Sequence, residues 1–208
     1  RHGEGEAKNA ARAAQLYQQG CDHGDPVGCG LLGTLLGGDE GLPADPTRAA
    51  SAFEKACEGG VAIACTSLGV MLARTDTQKG ATLLERGCSG GQPAACAYLA
   101  TLLYEGSGVA RNVPRAVELL EQTCDKNLLE SCTLLGTILA SGKGVPRDEV
   151  RAARAYDRGC SGGDQLACSG LGAYFKKGNA HWPELHDPVR TLRVDSRVLE
   201  KAEQGESA

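Results

Sequence analysis

The sequence predicts an all-α fold: an α/α solenoid of five helical hairpins, each stapled by one disulfide, followed by a C-terminal segment. Three observations predict it. All ten cysteines fall into five pairs eight positions apart: Cys21-Cys29, Cys57-Cys65, Cys88-Cys96, Cys124-Cys132 and Cys160-Cys168. The first cysteine of each pair recurs after 36, 31, 36 and 36 residues. Around it, small and apolar residues stand in fixed columns, and a fixed internal period is the signature of a repeat architecture.

The first helix of each hairpin carries the first cysteine. Eight and seven positions before it stand Ala13-Ala14, Ala49-Ala50, Gly80-Ala81, Ala116-Val117 and Ala152-Ala153. Four before it stand Tyr17, Phe53, Leu84, Leu120 and Tyr156, and immediately before it Gly20, Ala56, Gly87, Thr123 and Gly159. Apolar or small residues at these offsets follow the 3.6-residue period of an amphipathic helix. Three positions after the cysteine come Gly24, Gly60, Gly91, Asn127 and Gly163. Glycine and asparagine are the residues that best tolerate the left-handed conformation that ends a helix, so the first helix stops there.

The second helix carries the second cysteine and a leucine column, Leu32, Leu68, Leu99, Leu135 and Leu171. Next to it runs a column of small residues: Gly33, Gly69, Ala100, Gly136 and Gly172. Glycine inside a helix costs about 1 kcal/mol relative to alanine, so this column predicts close approach of a neighbouring helix. The connections GSGVARNVP (106–114) and GKGVPRD (142–148) use glycine to end one hairpin and proline or asparagine to begin the next. The second hairpin lacks such a loop, and RTDTQK (74–79) is expected to tighten or skew the stack there. The hairpins are bounded at about 6–42, 43–75, 76–109, 110–145 and 146–178. None can bury its own apolar face, so neighbours must stack.

Each cysteine pair spans the bend of a hairpin, which brings its Cα atoms into disulfide range. Zinc sites use two close pairs or nearby histidines, whereas here each pair stands alone. His2, His23, His181 and His186 do not recur with the repeat, and no C-x-x-C occurs. The cysteines therefore read as structural bridges, with no metal and no cofactor expected. Disulfides persist in oxidising compartments, which predicts an extracytoplasmic protein: periplasmic, secreted or lipid-anchored.

Composition agrees with thin layers in place of one large core: 208 residues with 29 glycines and only 4% aromatics. A net charge of −4 with neither a basic run nor a basic helix face argues against a nucleic-acid or anionic-membrane partner. No apolar stretch reaches the roughly 18 residues needed to span a bilayer. No leader pattern follows Arg1, which leaves export undecided on that ground.

The columns of Ala-Ala, aromatic, Ala/Gly-Cys, Gly, Cys and Leu-Gly, with the G-x-G-V loop, resemble the Sel1-like repeat proteins. They look most like the cysteine-rich branch, the Helicobacter cysteine-rich protein type. The resemblance covers residues 6–178; the departures are the shortened second hairpin and Gly80 where alanine is usual. It implies a TPR-like superhelix with one disulfide per repeat, export, and binding of proteins or peptides. It also implies one alternative, a penicillin-binding or weakly β-lactamase-like protein; a neutralising partner of a secreted toxin is a further alternative.

The enzyme alternative meets the residues at Gly87–Gly91 and Gly159–Gly163, which match G-x-S-x-G. In hydrolases that motif is a strand-to-helix elbow, but here it falls on the bend between two helices. No serine has lysine three positions later, so S-x-x-K is missing. A non-catalytic binding module is the reading favoured. Its expected binding residues are the first-helix positions pointing away from the core, Gln15, Ser51, Thr82, Glu118 and Arg154. Beside them runs an acidic column, Glu54, Glu85, Glu121 and Asp157, either a solvated face or one wall of a groove. The protein is expected to be monomeric.

After Lys177 the pattern ends. Residues 179–208 hold the only tryptophan, Trp182, and Val189, Leu192, Val198 and Leu199, which fit one face of a helix after Asp187-Pro188. A capping helix with a polar outer face is the reading favoured, because solenoid ends need one, with a partner-binding arm as the alternative.

Overall fold

A computed structural model describes residues 4–38 and 42–176, and the predicted C-terminal helix lies outside the described residues. The described chain forms ten α-helices with no strand among them: α1 (Glu4–Asp22), α2 (Pro26–Leu36), α3 (Pro46–Glu58), α4 (Ala62–Leu72), α5 (Thr77–Ser89), α6 (Pro93–Glu105), α7 (Val113–Asp125), α8 (Leu129–Ser141), α9 (Glu149–Ser161) and α10 (Gln165–Lys176). Odd-numbered helices carry the first cysteine of a pair and even-numbered helices the second. The hairpins group into two compact units that divide between Asn112 and Val113. The first holds α1 to α6 and the second α7 to α10.

Every hairpin closes by the same backbone device. The residue after the turn reaches back five positions: Asp25 N–H donates to the Gly20 carbonyl, Val61 to Ala56, Gln92 to Gly87, Leu128 to Thr123 and Asp164 to Gly159, at 3.0–3.1 Å. This is a Schellman closure, which requires one residue with positive φ. Gly24, Gly60, Gly91 and Gly163 supply it, and Asn127 supplies it at φ 64° in the fourth hairpin. A Cβ on Gly60 would meet nothing within 4 Å, so only backbone strain opposes a side chain there. Gly60→Ala is therefore expected to cost about 1 kcal/mol, measured by chemical denaturation.

The bend sets each cysteine pair across from itself. Five disulfides form, with Cα separations of 4.5–4.8 Å. No cysteine is free. In the first unit Cys21, Cys29, Cys57 and Cys65 are themselves core atoms, packed with Leu32, Phe53 and Leu68.

Within each unit, hairpins stack by setting an even helix against the next odd helix. Gly33 of α2 lies under the Phe53 ring of α3, and a Cβ at 33 would fall 2.6 Å from Phe53 Cδ1. Gly69 meets Leu84 in the same way, and in the second unit Gly136 meets Tyr156. The helical cost of these glycines is thus offset by packing a bulky side chain of the neighbouring hairpin against bare backbone.

Between α4 and α5 the connection shrinks to four residues, with Asp76 capping α5 by accepting from Lys79 N–H at 3.0 Å. The short link presses the first turn of α5 onto the end of α4. A Cβ at Gly80 would lie 2.7 Å from Ala73 N and 2.9 Å from the Gly69 carbonyl oxygen. The deletion and the missing alanine at 80 are therefore one feature.

In the second unit Asp164 ties its bend to the preceding hairpin. Burial works against its charge. Thr133 Oγ1 donates to it at 2.7 Å, and the amides of Ala167 and Leu166 add two bonds, which together hold the carboxyl below its ordinary value. A carboxyl that is the stronger acid when folded stabilises fully above its unfolded value near ~3.9 and loses that contribution as pH falls through the lower folded value. Thr133→Val removes the hydroxyl donor. It is expected to shrink the stability difference between about pH 5 and pH 2, followed by thermal melts across that range.

Candidate binding surface

The odd helices bury one stripe and expose the opposite one. In the first unit Gln15, Ser51 and Thr82 stand on the exposed stripe of α1, α3 and α5. In the second unit Glu118 and Arg154 do so on α7 and α9. Glu54 and Glu85 are exposed, while Glu121 and Asp157 are half-buried.

The acidic column is partly engaged between hairpins. Glu54 pairs with Lys79 of the next hairpin at 3.2 Å. Glu121 pairs with Arg151, and that hydrogen bond holds the guanidinium proton still more firmly than usual, against a smaller opposing effect of burial. In the first hairpin the equivalent position is Gln18, which accepts from Arg48 at 3.2 Å. The partners share one register nine positions before the first cysteine, where Arg12, Arg48, Lys79, Arg115 and Arg151 stand. That unbroken basic column was legible in the sequence, but its pairing with the preceding repeat was not.

A second set of bridges runs beside it. Arg86 donates to the Cys57 carbonyl at 2.8 Å, at the C-terminal end of α3, where a cation also meets the negative end of the helix dipole. In the second unit Arg158 pairs with Asp125. The ion pairs are largely exposed, so each contributes at most about 1 kcal/mol, and with the Arg86 bond they bridge the spacing between adjacent odd helices.

That spacing leaves a cleft of about 240 Å³ between α3 and α5, lined by Glu54, Glu58, Lys79, Thr82, Arg86 and a floor of Cys57 and Leu83. Two of the expected binding residues, Glu54 and Thr82, are thus brought together from different hairpins. Gln15 accepts from Arg12 at 3.1 Å, and Glu118 pairs with Arg115 at 2.9 Å, both within their own helices. Ser89 and Ser161 end α5 and α9, on helix-to-helix bends. Among the described residues no three His, Cys, Asp or Glu side chains converge to hold a metal ion, and no helix is long and apolar enough to cross a membrane.

A family model described as Sel1 repeat matches residues 1–25, 26–61, 93–128 and 129–164. The unmatched stretch between them contains the shortened connection. Segments 26–61 and 129–164 each pair an even helix with the following odd helix, the packing that Gly33 and Gly136 permit. Among solved structures, a Sel1 repeat protein from Oxalobacter formigenes aligns with a TM-score of 0.70 at 24% identity, over 92% of this chain and 80% of that one. A protective antigen of uropathogenic Escherichia coli displaying an SLR fold aligns with a TM-score of 0.74 at 22% identity, over 94% of this chain and 44% of that one. The chain thus spans less than half of the antigen. Helicobacter pylori cysteine rich protein B is 27% identical over 59% of this chain and 91% of that one, with a TM-score of 0.48. The first two likenesses show a shared fold. No curated protein matches the chain.

Proposed function

The chain belongs to the Sel1 repeat family, in its disulfide-linked, cysteine-rich form, a fold type that generally serves as a protein-interaction scaffold, and from that premise we propose that it is an exported, non-catalytic module that binds a protein or peptide segment along the exposed stripe of its odd helices. The observation that carries this reading is the cleft between α3 and α5, where Glu54 and Thr82 from two hairpins face one space over an apolar floor. An extended segment laid across it would meet hydrogen-bonding side chains at Ser51 and Thr82, beside a Glu54 already paired with Lys79 and an Arg86 held on the Cys57 carbonyl. Cross-linked hairpins lower the ordering cost of binding, because the surface is formed before the ligand arrives. Five disulfides in a chain without a free cysteine support an oxidising compartment.

The test is selection from a random peptide library against the oxidised protein, followed by titration of an enriched peptide. Thr82→Arg fills the cleft and is expected to weaken binding at least tenfold, while Thr34→Arg on α2 leaves it unchanged. Enriched peptides that bind the Thr82→Arg chain as tightly as the parent would refute the proposed face.

A further inference from the structure

The even helices of the first unit carry a different surface. Residues 26–36 of α2 and 62–72 of α4 contain no charged side chain, and α6 contains one, Glu105 at its end. Yet Val27, Leu31, Ile63 and Tyr98 on these helices expose 57%, 44%, 60% and 51% of their surface. They occupy two positions of one register, two before and two after the second cysteine, which lie four apart on the same helix face. The helices adjoin, since α2 touches α4 and α4 touches α6. The four side chains therefore line up in one row exposing on the order of 400 Å², within the range of the largest apolar patch on a typical monomer, which is often functional.

We infer that this face is where a second copy of the chain docks, back to back, around a two-fold axis at α4. Charge and symmetry select that occupant. An anionic lipid surface would call for lysine or arginine beside the apolar row, and none is present on α2, α4 or α6. Most charged side chains of the first unit sit on its odd helices, and α2, α4 and α6 hold only Glu105, so two copies joined here keep most of their charge apart despite a net charge of −4 each. With α2 and α6 flanking α4, a two-fold operation sets Ile63 against its own copy. It also sets Val27 and Leu31 against Ala94 and Tyr98 of the second chain, medium residues against a small and a large one. Isologous packing of this kind needs one self-complementary patch. A patch of this size lies below the roughly 800 Å² per partner of stable complexes, which makes the dimer a micromolar one and leaves a monomer in dilute solution. The inference is independent of the peptide-binding proposal, because the odd-helix cleft stays open in the dimer.

Sedimentation velocity on the full oxidised chain from about 1 to 500 µM tests it, a range bracketing micromolar affinity. The expected result is concentration-dependent dimerisation that weakens at least tenfold in Ile63→Lys and in Ile63→Glu. An equimolar mixture of the two variants is expected to regain it, because only self-pairing at Ile63 places opposite charges together. Leu166→Lys, at a still more exposed position but in the second unit, is expected to associate as the parent does. Far-UV circular dichroism establishes that each variant is folded. A parent chain monomeric throughout, Ile63 variants that dimerise normally, or a mixture that stays monomeric would each overturn the inference. Flotation of a monomeric parent with phosphatidylcholine vesicles would overturn it in favour of a lipid surface.

Discussion

Opening all five disulfides with a thiol reductant is expected to unfold the protein at 25 °C. Each bridge closes a loop of about nine residues, worth roughly 2–3 kcal/mol on the chain-entropy account. The five bends are local and separate, so their contributions add to within a few tenths of a kcal/mol each, to about 13 kcal/mol. That equals the whole stability of an ordinary domain, 5–15 kcal/mol. The core offers little to replace it. Its largest fully buried side chains are leucines and one isoleucine, and much of the rest is alanine. Far-UV circular dichroism with and without reductant reads the outcome directly. A reduced chain that keeps its helicity and melts within a few degrees of the oxidised one would show that packing, not cross-linking, holds the hairpins.

Gly80→Ala is the point substitution expected to cost most, roughly 2 kcal/mol. The same change in an open helix would gain about 1 kcal/mol, because alanine is the better helix former. Here the new methyl would press on Ala73 N, Ala73 Cα and the Gly69 carbonyl, which are backbone atoms with no rotamer to yield. Overpacking of this kind costs 1–3 kcal/mol or more, and in a chain of this length a net loss of 2 kcal/mol lowers the melting temperature by about 4–8 °C. The decisive comparison restores the missing five residues of the α4–α5 connection. With the longer link Gly80→Ala is expected to become neutral or stabilising, as the alanines at the equivalent positions 49, 116 and 152 imply. A cost that persists in the lengthened chain would locate the strain elsewhere.

The hairpins were legible because everything that makes them lies within about a dozen residues. Asn127 in a column of glycines pointed to a positive φ, and its φ of 64° has the same cause as those of its glycine counterparts. The eight-residue cysteine spacing needed only a helix end, a bend and a helix start to become a bridge. The glycine column announced that something approaches closely, but not that Phe53, Leu84 and Tyr156 do so. The acidic column reads from sequence as a solvated face or a groove wall. Glu54 and Glu121, while still partly exposed, also pair with the next hairpin, and Glu54 lines the cleft. The exposed row of Val27, Ile63 and Tyr98 gave no signal, because an apolar residue on an apolar helix reads as core until its neighbours are known.

The sequence by itself determined the repeat, the bends and the five cross-links, all of which follow from short-range backbone and thiol chemistry. Tertiary structure alone decided which faces meet. The pairs that matter there, such as Lys79 with Glu54 and Gly80 with Ala73, depend on how far one hairpin is carried past the last. That displacement is set by the length of the connection and by the packing of bulky side chains against bare glycine, and neither is a property of any single column.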